Sequence, residues 1–251
     1  MSRSTWLTTS DHSAPSEAVT WHELECGRYD ADLDLWLGLA AATEGPVLEI
    51  GAGTGRVSGC LAAARHDVVA LEIDPVLLAE LASRHPAVSP VLADARDFHL
   101  QRRFALIVVP MQTVQLLGGP GGRRRFLRCA RRHLSAGGVL ATAIVDELPG
   151  FAAADGGALP PADVHERHGT VFESQPTAIR ISVHAIELER RRRALTPSGG
   201  AYEELDAVAL DRVKPDDLRA EGERAGLRGL AHREIASTSE HVSSTVVMWH
   251  G

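Results

Sequence analysis

The sequence has little lysine, few cysteines and few aromatic side chains. Lys214 is the only lysine among 251 residues, so nearly all positive charge is arginine, and aromatic residues make up 4% of the chain. The formal net charge of -7 argues against broad binding to nucleic acid or to an anionic membrane. No apolar run reaches the length of a membrane span, and the N-terminus lacks the apolar core of a secretory signal. We therefore expect a cytoplasmic globular protein that binds neither nucleic acid nor membrane.

Spacings typical of metal ligands are also scarce. Cys26, Cys60 and Cys129 are odd in number and far apart, which is typical of reduced, buried thiols. His165 and His168 are three residues apart, but no third ligand follows at a fitting spacing. The sequence therefore predicts no metal site.

Strand-like and helical patterns alternate in the first part of the chain. Short apolar runs predict five strands, at 46–50, 67–73, 88–94, 105–110 and 137–145. Helical spacing of apolar residues predicts helices over Ser16–Ala42, Thr54–Arg65, Pro75–Arg84 and Arg123–Leu134. The alternation indicates right-handed βαβ crossovers, and so an α/β fold with a parallel sheet and helices on both of its faces.

The pattern changes after the fifth strand. Strand-like runs between 169 and 210 predict an antiparallel β meander inserted into the fold, and 227–235 and 243–250 predict two closing strands. We therefore divide the chain into an N-terminal helical cap (1–44), a cofactor-binding domain (45–147 and 211–251) and an insert (148–210). The arginine runs at 123–132 and 189–193 are interpreted as solvated faces.

The insert has apolar residues that alternate with polar ones. We expect one buried face, formed by Val171, Ile179, Ile181, Val183 and Ile186. That face packs either on the rim of the active site, as a substrate lid, or on a second copy of the chain, as a homodimer contact.

The segment "VLEIGAGTGR", residues 47–56, carries the main functional signal. A strand, a glycine turn and a helix present free backbone N–H groups to a ligand. A dinucleotide site requires a third glycine at the position of Arg56, whereas here that glycine is one residue earlier, at Gly55. Glu49 would repel a pyrophosphate and attract an ammonium group. The turn therefore favours a nucleoside with an amino-acid end and no phosphate.

"LEIGAGTGR" resembles the first signature of the class I S-adenosylmethionine-dependent methyltransferases, and four later segments agree in order. "VVALEID" resembles the segment whose final acid holds the ribose hydroxyls, here Glu72, with Asp74 as the alternative or as a helix cap. "LADARDF" resembles the adenine-binding segment, "IVVPMQTVQLL" the segment beside the methionine end and "LSAGGVLATAI" the start of the fifth strand. Ala105 departs from the family, which often has an aspartate there.

The resemblance implies a Rossmann-like seven-stranded sheet, mostly parallel, whose last strand is antiparallel. It implies S-adenosylmethionine as the cofactor and S-adenosylhomocysteine as the product. The cofactor-binding residues that it implies are Tyr29, Glu49, Gly51, Ala52, Gly53, Gly55, Glu72, Ile73, Asp94, Ala95, Pro110, Met111 and Gln115.

Methyl transfer is an in-line displacement that depends mainly on alignment, so a general base is optional. If the last strand is antiparallel, the loop that holds His241 lies on the ligand side of the sheet. His241 is therefore the candidate catalytic residue. The alternative is that His241 is a loop histidine exposed to solvent. Asp146 and Glu147 follow the fifth strand on the same side.

Neither an Asn-Pro-Pro-aromatic segment nor basic-aromatic stripes are present, which favours a small-molecule acceptor. Whether N, O or C is methylated stays open. The alternatives are a lyase or cyclase that uses the same cofactor, or a ligand-binding module without turnover.

Overall fold

The computed structural model describes residues 14–156, 158–239 and 241–251. Five parallel strands form the centre of its larger sheet: β1 (Val47–Ile50), β2 (Val68–Glu72), β3 (Ser89–Leu92), β4 (Phe104–Val109) and β5 (Leu134–Ile144). Their order is β5-β4-β1-β2-β3, so the strand order reverses between β1 and β4. Ligands of open α/β sheets bind at the carboxyl ends of the strands beside such a reversal.

Six α-helices accompany the strands in the described part of the chain. They are α1 (Ala14–His22), α2 (Leu33–Ala41), α3 (Arg56–Ala63), α4 (Pro75–Arg84), α5 (Gly119–His133) and α6 (Pro215–Arg224). The bounds of α4 agree with the sequence because both of its start signals are local. Asp74 Oδ1 accepts hydrogen bonds from the N–H groups of Val76 and Leu77, and Pro75 occupies the first turn.

The predicted helix over Ser16–Ala42 is wrong as a single helix. The chain leaves α1 through one turn of π-helix (Glu23–Gly27), and α2 begins only at Leu33. Asp32 fixes this break through contacts that local periodicity does not encode. Its carboxylate lies 2.5 Å and 2.8 Å from the two terminal nitrogens of Arg56 and accepts a 2.8 Å bond from the indole of Trp36.

The insert forms a second, antiparallel sheet. Its strands are β6 (Phe151–Ala152), β7 (Asp163–Arg167), β8 (Thr170–Ile181), β9 (Ala185–Leu195) and β10 (Ala201–Asp211). The order is β10-β9-β8-β6, with β7 also on β8, which confirms the predicted meander.

The predicted buried face of the insert is interrupted. Ile186 is buried, but Ile181 and Val183 are 42% and 79% exposed. The cause is a hairpin turn at 182–184, where the Ser182 hydroxyl accepts a 2.9 Å bond from the N–H of Ala185. Val183 therefore lies at the tip of a turn and not within a strand.

The arginine run of β9 is not a solvated face. Arg190 and Arg192 have side chains that are 17% exposed, and Arg192 pairs with Glu25 at 2.7 Å and with Asp206 at 3.2 Å. Arg193 on the opposite face pairs with Glu173. Carboxylates on the π-helical turn and on other strands of the second sheet thus partner these arginines.

Three further strands complete the large sheet: β11 (Arg228–Gly229), β12 (Arg233–Ile235) and β13 (Ser244–His250). β13 is antiparallel to β5, and β11 and β12 both pair with β13. The Rossmann-like prediction, with helices and an antiparallel last strand, is confirmed. The sheet has eight strands because the run at 227–235 forms two short strands. None of the described helices has the length and apolar character needed to cross a bilayer.

Candidate functional site

The glycine turn lies at the carboxyl end of β1. Gly51, Gly53 and Gly55 all have positive φ, at 70°, 55° and 95°. A Cβ atom on Gly51 would lie 2.5 Å from the Thr113 side chain, and one on Gly53 would lie 2.4 Å from the ring of His22. The turn therefore needs glycine for its backbone conformation and for the close approach of its neighbours.

The Glu72 carboxylate is hydrogen-bonded to the backbone of this turn. One oxygen accepts a 2.8 Å bond from the N–H of Gly53, and the other accepts bonds from the N–H groups of Ile73 at 2.8 Å and Asp74 at 3.0 Å. Glu72 is 7% exposed, whereas Ile73 is 61% exposed. The Asp74 carboxylate caps α4, so Glu72 is the carboxylate that the structure brings to the turn.

Glu49 is a buried carboxyl group in the middle of β1. It is 2% exposed, and its Oε2 atom has no hydrogen-bond partner in the described part of the chain. Burial raises its pKa to about 7, although nearby Ser58 and Arg56 partly counter this effect. A buried oxygen without a partner costs free energy that a ligand N–H group would recover. The site therefore fits a ligand that carries an ammonium group.

Asp94 follows β3 in the turn that leads to the buried Ala95. Both of its oxygens accept hydrogen bonds of 2.7–3.0 Å from the Arg96 guanidinium. Oδ1 also accepts a 2.8 Å bond from the backbone N–H of Arg96. The Arg96 pairing lowers the pKa of Asp94. The carboxylate is thus ionised and partly exposed, with its position set by Arg96.

The segment after β4 runs beside the glycine turn through Pro110 and Met111 to Gln115. Met111 has φ 53°, an uncommon value outside glycine. The Gln115 amide is buried, and its NH₂ group donates 2.9 Å bonds to the carbonyls of Val145 and Asp211. Its oxygen accepts a 2.9 Å bond from the N–H of Val145. These bonds hold together the two chain segments that enter and leave the insert.

His241 and Tyr29, which are distant in sequence, lie side by side. Their ring centroids are 4.8 Å apart, and the Arg56 guanidinium lies 5.2 Å from the centroid of the Tyr29 ring. Arg56 also donates a 2.7 Å bond to the Tyr29 carbonyl. The candidate base is therefore next to a candidate cofactor residue, which in turn contacts Arg56, the residue that directly follows Gly55. Asp146 and Glu147 follow β5 at the same edge.

Sequence reasoning missed the segment Trp21–Glu25. The His22 ring lies against Gly53, and Glu23 accepts a hydrogen bond from the Thr54 hydroxyl and pairs with Arg84 at 2.9 Å. The segment also contacts the second sheet: the Trp21 and Phe172 rings pack edge to face at 5.1 Å, and Glu25 pairs with Arg192. These partners are 31 to 167 residues apart in the chain, and no local motif indicates them.

No group of metal-ligating side chains large enough to hold an ion occurs among the described residues. His165 and His168 lie in and after β7, at the hairpin to β8.

Comparisons with known proteins give one sequence match and several structural ones. Residues 47–138 match the profile of a family described as "Methyltransferase domain". No curated protein sequence matches the chain.

Three solved structures resemble nearly the whole fold. DesVI from Streptomyces venezuelae has a TM-score of 0.71 at 19% identity, covering 95% of this chain and 99% of that one. The sugar N-methyltransferase KedS8 from a Streptoalloteichus species has a TM-score of 0.71 at 16% identity, covering 100% and 98%. CalS10 from Micromonospora echinaspora, described as an amino pentose methyltransferase, has a TM-score of 0.69 at 18% identity, covering 97% and 99%. At these identities the structures establish a shared fold.

Proposed function

We propose that this chain, whose residues 47–138 match a methyltransferase domain, uses S-adenosylmethionine to methylate a small molecule held between the glycine turn and the second sheet. The observation that carries the proposal is the unpartnered, buried Oε2 of Glu49 behind a glycine turn with no phosphate-binding third glycine. This pair of features fits the amino-acid end of the cofactor and disfavours a dinucleotide.

Each part of the cofactor has candidate partners. Glu49 and the N–H groups of the turn would hold the amino-acid end, together with Tyr29. Glu72 has acceptor capacity left for the ribose hydroxyls, since each carboxylate oxygen has two lone pairs. Asp94 and Ala95 would bind the adenine ring. The remaining cofactor contacts are assigned to Gly51, Ala52, Gly53, Gly55, Ile73, Pro110, Met111 and Gln115. Gln115 would contribute its backbone, since its side chain is hydrogen-bonded elsewhere.

The cofactor supplies an electrophilic methyl group on a sulfonium, so the protein has to align an acceptor and exclude water. Alignment of this kind is worth about 7–11 kcal/mol in well-oriented reactions. His241, packed on Tyr29, is the candidate to remove a proton from the acceptor.

We assign the substrate lid to the insert, residues 148–210, together with residues 14–44 of the N-terminal cap; the first 13 residues of that cap lie outside the described residues. The inner face of the insert, which packs on the cap, carries Glu204 and Asp206 beside Arg192. Burial raises the pKa of Asp206, as expected for a carboxylate in an enclosed space. A polar acceptor would be enclosed between this face and the domain formed by 45–147 and 211–251.

The acceptor atom proposed is an amine nitrogen. The support is that KedS8 is described as a sugar N-methyltransferase, CalS10 as an amino pentose methyltransferase and MtfA as a glycopeptide N-methyltransferase. We further propose a cytoplasmic enzyme that binds no nucleic acid and no membrane, with the outer face of the insert as the surface for a homodimer contact.

Release of S-adenosylhomocysteine tests the proposal. The purified protein is incubated with S-adenosylmethionine and a panel of amino sugars, the matching hydroxyl sugars and simple phenols. We expect release with at least one amino sugar and none with its hydroxyl counterpart. Glu72→Ala should strongly reduce the release at low cofactor concentration, whereas Glu166→Ala, which changes an exposed carboxylate on β7, should not. Conversion of a substrate without transfer of a methyl group would instead support a lyase or cyclase.

A matched pair of variants tests the lid. Asp206→Asn changes the inner face of β10, and Glu203→Gln changes the outer face of the same strand, where the side chain is 57% exposed. The inner variant should raise KM for the acceptor while the affinity for S-adenosylhomocysteine is unchanged, and the outer variant should do neither. An unchanged KM in Asp206→Asn, with a monomer–dimer shift in Glu203→Gln, would assign the insert to dimerisation alone.

A further inference from the structure

The segment Trp21–Glu25 holds one imidazole over the glycine turn. His22 is the last residue of α1, directly before the turn of π-helix, a rare feature that is frequent at functional sites. Trp21 and Glu25 on its two sides are fixed to the second sheet by Phe172 and Arg192. The ring of His22 therefore has a defined position, set by contacts on both sides.

The edge of the ring that faces the turn carries Nε2. A Cβ atom built on Gly53 would lie 2.4 Å from both Cε1 and Nε2 of His22, but 3.5 Å from Cδ2. The other ring nitrogen, Nδ1, lies 3.5 Å from the hydroxyl oxygen of Thr54. Nε2 thus lies over Gly53, whereas Nδ1 lies beside the hydroxyl group of Thr54.

The hydrogen bonds around Thr54 decide which nitrogen carries the proton. The Thr54 hydroxyl has a single proton, and it donates that proton to Glu23. Glu23 is an acceptor only, because Thr54 and Arg84 lower the pKa of its carboxyl group despite its burial. The Thr54 oxygen is therefore left to accept from His22, which favours the tautomer with the imidazole proton on Nδ1 and a lone pair on Nε2.

The surroundings keep this ring neutral. Burial lowers the pKa of His22 below 6.5, and the positive charge of Arg56 acts in the same direction. Three nearby carboxylates raise the pKa, but their effect is smaller than that of burial: Glu23, Glu72 and Glu25. A neutral imidazole with a free lone pair accepts hydrogen bonds from O–H and N–H groups. S-adenosylmethionine presents two groups of this kind, the ribose hydroxyls and the α-ammonium.

We propose that His22 is a further cofactor-binding residue, whose Nε2 accepts a hydrogen bond from a ribose hydroxyl or the α-ammonium of the bound nucleoside. The inference rests on the proposed cofactor site. It adds a second residue of the N-terminal cap, besides Tyr29, to a site otherwise made by the carboxyl ends of the strands. The cap thereby contacts the cofactor with His22 and the second sheet with Trp21 and Glu25.

Calorimetry with two ligands tests the assignment. S-adenosylhomocysteine carries both candidate donors, whereas 5′-methylthioadenosine keeps the ribose and lacks the amino-acid end. His22→Leu should weaken binding of S-adenosylhomocysteine about tenfold, the size of one hydrogen bond, and His22→Gln should restore part of it with its amide oxygen. A loss for both ligands assigns the ribose, and a loss for S-adenosylhomocysteine alone assigns the ammonium.

The control is His165→Leu, which removes an exposed imidazole from β7 and should change neither affinity. Nitrogen NMR of the ligand-free protein should show the proton of His22 on Nδ1. Unchanged or tighter binding by His22→Leu would overturn the inference. Tighter binding would show that the ring obstructs the ligand. Failure of the unmodified protein to bind either nucleoside would instead overturn the proposed cofactor site.

Discussion

The buried carboxyl group of Glu49 should make both stability and cofactor binding depend on pH. Its pKa is raised from 4.5 to about 7 in the folded protein by burial. The folded protein therefore keeps this proton over a pH range in which the unfolded chain has lost it. Stability contributed by this group falls as the pH rises from 4.5 to about 7, and is constant above that.

The size of the effect follows from the shift. One pH unit corresponds to about 1.4 kcal/mol, so the ionised group costs about 3 kcal/mol of folding free energy above neutral pH. Glu49→Gln removes the charge at nearly the same volume. The variant should therefore be more stable than the unmodified protein by up to about 3 kcal/mol at about pH 8, and the difference should largely vanish at about pH 5.

Binding of the cofactor should oppose this penalty. An ammonium group beside Glu49 favours the ionised carboxylate, so binding of S-adenosylhomocysteine below pH 7 should release a proton. Affinity should rise by up to about tenfold per pH unit until about pH 7 and then level off. The measurement is calorimetry in buffers of different ionisation enthalpy, with urea unfolding of both proteins. A Glu49→Gln variant that releases the same number of protons, or whose stability follows the same pH profile as the unmodified protein, would refute the reasoning.

Three further predictions concern the neighbouring contacts. Glu72→Ala should weaken binding of S-adenosylhomocysteine by about 1.5–3 kcal/mol in calorimetry. Asp74→Ala should instead lower the stability of the protein by about 1 kcal/mol, because it removes a helix cap. The reverse pattern would assign the ribose contact to Asp74. Gln115→Leu leaves buried backbone groups unpaired and should cost about 1–3 kcal/mol in urea unfolding, with a larger rise in acceptor KM than in cofactor Kd. Arg192→Met leaves the mostly buried Glu25 carboxylate without its charged partner and should destabilise the protein by about 3–5 kcal/mol in urea unfolding. A second change, Glu25→Gln, should partly reverse this loss.

The parts of the fold that local chemistry determines could be predicted from the sequence. The buried run before Gly51 predicts β1, and Asp74 with Pro75 predicts where α4 begins. Glu72 and the glycine turn lie side by side because the ends of β1 and β2 are adjacent in the sheet. These features depend on residues close in sequence or on the alternation of strands and helices.

The parts that depend on distant partners could not be predicted. The break before α2 rests on the pairing of Asp32 with Arg56, 24 residues away. The N-terminal segment is positioned by Phe172 and Arg192, and nothing near Trp21 in the sequence indicates them. Periodicity was also insufficient at Val183, where a serine hydroxyl stabilises a hairpin turn within an apolar pattern.

The most direct test of the account is isotope transfer. The protein is incubated with S-adenosylmethionine labelled in its methyl group and an extract of small metabolites, and products are followed by mass spectrometry. We predict that one or more amine-containing small molecules gain a single labelled methyl group, in amounts equal to the S-adenosylhomocysteine formed, and that Glu72→Ala strongly reduces this gain at low cofactor concentration. Label that stays on the cofactor in every extract, while the protein binds the nucleoside, would contradict the account.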